Sequence, residues 1–174
     1  MIGKGLIGME EFIIPKTSLD LVNKIMKAYF ITYSENGVKA LEVSKKTGYS
    51  VAQIWKSNHF LINIGLLEKI DSKFILTSDG KQYASHLMNQ NEEEAYVILK
   101  RLMLNYKPIE YIINFLKLEG TVSAEKLRKR IIDLAKLDLS IKDHKAGLKG
   151  LIEILLATKI IISDGNEKFF LGDI

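Results

Sequence analysis

The side chains best placed to do chemistry in this sequence are lysines. Lys142, Lys145 and Lys149 recur at i, i+3 and i+7, a spacing that lines three side chains along one helix face. Lys126, Arg128, Lys129 and Arg130 crowd the helix expected just before them. Positive charge repeated in this way neutralises phosphates and releases their counterions, a noncovalent chemistry suited to a nucleic-acid backbone. The same stripe also fits an ordinary solvated face in a lysine-rich chain. On an earlier helix, Ser50, Gln53, Lys56 and Ser57 are expected to point outward. Gln53 suits either the N6 and N7 edge of adenine or a capping box closed with Ser50. Lys73 and Lys168 fall in two expected hairpins, where a lysine can reach phosphate or simply protect a strand edge.

Apolar residues compete for the same surface. Val51, Ile54 and Leu61 make the core-facing stripe of that earlier helix, which leaves Trp55, His59, Phe60 and Ile62 as an apolar patch fit for a protein partner. Catalytic spacings are missing. The sequence holds no phosphate loop, no dinucleotide fingerprint, no zinc-protease helix and no serine-hydrolase elbow. Gly3-Lys-Gly5 and the pair Gly147 and Gly150 are too short to cradle phosphate and read as incidental. His59, His86 and His144 have no second ligand at zinc spacing and read as surface or interface residues. No enzyme activity, metal or other cofactor is expected.

The chain of 174 residues, with a formal charge of +4, fits one or two small domains and permits a nucleic-acid partner without requiring one. With 47% hydrophobic residues and two prolines it has the material for a core. Absence of cysteine removes disulfides and thiolate sites and suits a reducing compartment. No signal peptide or membrane span is read, so the expected location is the cytoplasm. The excess of Ile, Leu and Lys over Arg is shared by AT-rich genomes and many thermophile proteomes.

Periodicity and caps then supply the elements that position these groups. Ser18 precedes a helix through Val22, Ile25, Met26 and Tyr29, and a short helix from Leu41 ends at Gly48. Ser50 opens a third, Gly65 closes it, and two runs around Asp71 to Lys73 form a hairpin. Another helix follows Thr77. Asn91 caps a helix whose first turn holds Glu92, Glu93 and Glu94, and Pro108 starts the next. Ser123 and Ser140 are expected to cap two further helices, the second with Ile141, Leu148, Leu151 and Leu155 inward. A last hairpin turns at Asp164 and Gly165.

Helix, helix, turn, helix, hairpin is the order of a winged helix-turn-helix. The stretch from Ile64, Gly65 and Leu66 to Leu76, Thr77, Asp79 and Gly80 resembles the helix-three, "GLI" strand and "LTxxG" segment of MarR-like and ArsR-like winged-helix proteins. This resemblance covers residues 18–89, and the second half repeats the plan. The expected fold is mainly α with small β-hairpins (α+β), as tandem winged helices. Its parts are an N-terminal extension (1–17), a first domain (18–89), a connector helix (90–107) and a second domain (108–174). The expected function is noncatalytic binding of double-stranded DNA, as in transcription regulation. The alternative is a protein-binding scaffold, because tandem winged helices also resemble parts of transcription machinery and membrane-remodelling assemblies. A homodimer is a further expectation, drawn from the helices at 78–89 and 92–105.

Overall fold

The structure, a computed structural model, describes residues 11–174. Those residues form a mainly helical α+β fold with two small antiparallel sheets. The first half runs α1 (Leu19–Ile31), α2 (Ala40–Thr47), α3 (Val51–Asn63), β1 (Leu67–Ile70) and β2 (Lys73–Leu76). Next come α4 (Ser78–Met88) and α5 (Glu92–Asn105). The second half runs α6 (Lys107–Glu119), β3 (Thr121–Ser123), α7 (Ala124–Ala135), α8 (Lys142–Ala157), β4 (Ile161–Ser163) and β5 (Lys168–Leu171). Among the described residues no helix is long and apolar enough to cross a membrane.

Local chemistry sets most boundaries. Ser18, Ser50, Thr77, Asn91 and Ser123 each accept a hydrogen bond from a first-turn amide, satisfying donors that a helix start leaves open. Gly48 ends α2 at φ 75°, a left-handed conformation that glycine adopts without a Cβ penalty. One expected cap is different. The Ser140 hydroxyl donates to Asp138 Oδ1, α8 starts after Ile141 without a side-chain cap, and Ile141 is exposed rather than inward. Asp138 offers Ser140 a nearer partner than the helix amides do.

The two halves share an order of pairing. β1 pairs with β2, and Val38 before α2 bridges Phe74 through two hydrogen bonds of 2.8 and 2.9 Å. Correspondingly, β3 before α7 pairs with β5, giving the strand order β3-β5-β4. Strand β3 was not expected from the sequence. It has three residues with only Val122 buried, too short for a period-2 signal, and Ser123 doubles as the α7 cap.

The core is continuous across the halves. Tyr29, Phe60, Phe74 and Tyr83 are its largest fully buried rings. Asn23 on α1 accepts from the Tyr83 hydroxyl at 2.5 Å and donates to Tyr96 at 3.1 Å, which ties α1 to α4 and α5 through a satisfied polar contact. Burial raises the Tyr83 hydroxyl pKa well above its ordinary value, so this group stays a neutral donor. Helices α4 and α5 pack onto α1 and onto each other.

Residues 11–17, the described part of the expected 1–17 extension, form a strap packed into the body. Phe12 and Ile14 are buried, Phe12 meets Tyr106 edge-on, and the Ile13 amide donates to the Tyr106 hydroxyl at 2.8 Å. The strap crosses α8 at Gly147 and Gly150. A Cβ on Gly150 would overlap the Thr17 carbonyl, and one on Gly147 would overlap the Pro15 carbonyl oxygen and press the Ile14 side chain. The glycine pair is therefore structural; Gly3-Lys-Gly5 lies outside the described residues. Gly150→Ala should lower stability by about 1–3 kcal/mol through overpacking, although alanine is favoured over glycine inside a helix by about 1 kcal/mol. Thermal melts against Asn114→Ala, an exposed change on α6, measure the difference. A Gly150→Ala protein as stable as wild type would refute the close contact.

Candidate nucleic-acid interface

The start of α3, the start of α8 and the end of the strap meet around one cleft of about 310 Å³. Lys16 comes from the strap, Lys56 from α3, and Lys142 and Lys149 from α8. Asp143 is the acidic residue among them, with the Thr17 and Ser18 residues beside it. Lys56 Nζ lies 2.5 Å from Asp143 Oδ2, joining α3 directly to α8. The Lys56 hydrogen bond holds the Asp143 carboxyl below the usual carboxylate range, with Lys16 and His144 adding to the effect. Lys149 Nζ is 3.8 Å from one Glu153 oxygen, while the other accepts from the Leu19 amide at 3.0 Å. Glu153 thereby satisfies an open donor at the α1 start. Among the described residues, Lys16 and Lys142 have no ion pair.

The remaining expected contacts divide. Lys145 is exposed on α8 but outside the cleft lining, and Ser50 is exposed at the α3 cap. Gln53 lines the cleft, yet its Oε1 accepts from the Ser50 amide at 3.1 Å while the Ser50 hydroxyl accepts from the Gln53 amide. That capping box occupies the oxygen which a bidentate adenine contact needs. Ser57 does not point outward: it is 2% exposed. Together with Asn58 it lies on the buried side of α3, where Asn58 donates to the Tyr29 hydroxyl at 2.7 Å.

On α7 the basic quartet also splits. Arg128 and Lys129 are exposed. Lys126 pairs with Glu119 at 2.5 Å, and Lys126 and Arg130 both lie over the Phe115 ring of α6, at 5.9 and 5.6 Å. These two cations therefore serve the α6 to α7 packing. Lys168 is exposed in the second hairpin, and Lys73 is half-buried at the start of β2.

The apolar patch shrinks. Phe60, expected at an interface, is 0% exposed and belongs to the core, while Ile62 is half-buried against it. Trp55 is 39% exposed, with its ring edge-on to Phe74 at 4.8 Å and Lys69 over its face. Its exposure is that of a residue roofing the hairpin. His59 is exposed on the side of α3 that faces a second groove. Among the described residues no three of His, Cys, Asp and Glu converge as a metal site.

The chain matches no protein-family model, no curated protein and no solved structure. The cleft geometry accordingly carries the functional argument. Sequence reading missed Lys16 and Asp143, whose roles arise from the strap crossing α8; no local pattern marks either. Because the Lys56 pair is about half exposed, solvent screens it. Asp143→Asn should cost under about 1 kcal/mol at neutral pH. The sign follows from the lowered pKa: the stabilisation is present above the usual carboxylate range and is lost as pH falls through the Asp143 value. Denaturant titrations of both proteins should therefore converge in acid, and a gap that persists there would place the pair elsewhere.

Proposed function

We propose that this chain is a noncatalytic double-stranded DNA-binding protein of two winged-helix units, acting in transcription regulation. In this reading α3 and α8 are the helices presented to DNA, and the two sheets are their wings. Support comes from the repeated order of helix, strand or bridge, two helices and hairpin in both halves. The observation that carries the reading is the gathering of Lys16, Lys56, Lys142 and Lys149 from three separate elements at one cleft. Lys56 and Lys149 are paired with Asp143 and Glu153, whereas Lys16 and Lys142 have no ion pair among the described residues, so the cleft keeps positive charge that a bound anion would neutralise.

The cleft also constrains how DNA is held. A cleft of about 310 Å³ is too small to enclose a duplex and would take up a stretch of phosphodiester backbone instead. The two helices are joined by Lys56 and Asp143, so they meet neighbouring phosphates of one site rather than half-sites about 34 Å apart. Lys145, Arg128, Lys129 and Lys168 are exposed outside the cleft lining and are further candidates for phosphate contact. With Gln53 held in its capping box, most contacts fall on the backbone, which gives affinity with little sequence preference.

Fluorescence anisotropy with a labelled duplex across a salt series tests this. Binding at low salt should weaken with a log–log slope of about −0.9 for each phosphate neutralised. The double variant Lys16→Ala, Lys142→Ala, which removes the two cleft lysines without an ion pair, should reduce the magnitude of that slope by about two. No binding at low salt, or a slope that the double variant leaves unchanged, would sink the reading.

A further inference from the structure

A second, larger groove lies beyond Lys16, on the side of the strap where α7 and α8 converge. Its volume is about 940 Å³, at the upper end of the range for small-molecule sites. The strap residues Phe12, Ile13 and Ile14 form one apolar wall, and Leu134 with Leu137 form the other. Into this setting α7 places Arg130 and α8 places His144.

Arg130 is the unusual member. Its guanidinium lies against the Phe115 ring, and its Nε is shut off from solvent with no hydrogen-bond partner. Among the described residues it makes no ion pair, although Asp133 lines the same groove one turn further along α7. Arg130 as a whole is half-buried; its enclosed Nε donor is costly to leave unmet and such donors are rare in folded proteins, and among the described residues the guanidinium has no carboxylate partner. His144 adds a second donor. Its Nδ1 accepts from the Asp138 amide at 2.9 Å, which leaves the proton of a neutral ring on Nε2. The lining holds Lys16, Arg130 and Lys136 against Glu11 and Asp133, a surplus of one positive charge.

From these features we infer that the groove binds a small apolar monocarboxylate, with the carboxylate on Arg130 and the hydrocarbon body against Phe12, Ile14, Leu134 and Leu137. An arginine fork matches a carboxylate in plane and charge, and an apolar trough matches the remainder of such a molecule. One surplus charge is neutralised by a monoanion. A polyphosphate would leave negative charge facing Glu11 and Asp133, and a neutral lipid would leave Arg130 unmet. This groove shares Lys16 with the lysine cleft, but Arg130 and the apolar walls belong to the groove alone, so decanoate binding is tested without DNA present.

Decanoate and decanol are the test pair, since they share a chain and differ in the head group. Titrated into the full chain below millimolar concentration, decanoate should bind saturably and at least about tenfold more tightly than decanol. In amide-resolved NMR spectra the decanoate shifts should centre on Phe12 to Ile14 and Arg130 to Leu137. Arg130→Gln should weaken decanoate by about tenfold and leave decanol unchanged. The comparison of the two ligands on the wild-type chain keeps the inference falsifiable even where that variant folds poorly. Absence of saturable decanoate binding, equal affinity for decanol, or shifts centred outside the groove would each overturn it.

Discussion

The strap's backbone contact with α8 is the constraint on which the rest of this structure depends. At Gly147 and Gly150 the helix carries no side chain, and the carbonyls of Pro15 and Thr17 occupy the space. Backbone can approach backbone this closely only where Cβ is absent. Three consequences follow from the one contact. Helix α8 is drawn against α1, with Glu153 bonded to the Leu19 amide. The α8 start comes beside the α3 start, where Lys56 and Asp143 meet. The strap also divides the surface into a lysine cleft on one side and an apolar groove on the other, with Lys16 lining both.

Capping chemistry and surface chemistry compete for the same side chains. Gln53 stands where a reader of bases is expected, but its oxygen completes the first turn of α3. Lys126 has the charge to meet phosphate, but Phe115 and Glu119 hold it against α6. Lysines without such partners, Lys16 and Lys142, are the ones left to face an incoming anion. Local stability thus decides which charges remain available, and the count of basic residues overstates the charge on offer.

Most helices were legible because their caps and their apolar periods agree. Ser50 with Gln53 and Asn91 with three glutamates mark starts that the fold keeps. The α3 face was misread for a physical reason. Its buried stripe runs Ile54, Ser57, Asn58 and Leu61, so half of it is polar, and Phe60 joins it from the side. A hydrophobic pattern does not register a serine and an asparagine that are buried through packing and a tyrosine partner. Strand β3 was invisible because its three residues gain their structure from β5, far along the chain. Lys56, Lys142 and Lys149 of the candidate site stood out in the sequence. Their cleft did not, since Lys16 and Asp143 reach it only through the crossing of strap and α8.

The same crossing imposes an order on biogenesis. The strap is made well before α8, the helix that receives it. While the chain grows, Ile14 has no α8 to cover it, and the halves cannot close on each other until the second is made. Until α8 is made, that part of the strap lacks its cover. Closure of the strap is the event that ends that exposure, and it makes a chain with two similar halves mature as one unit.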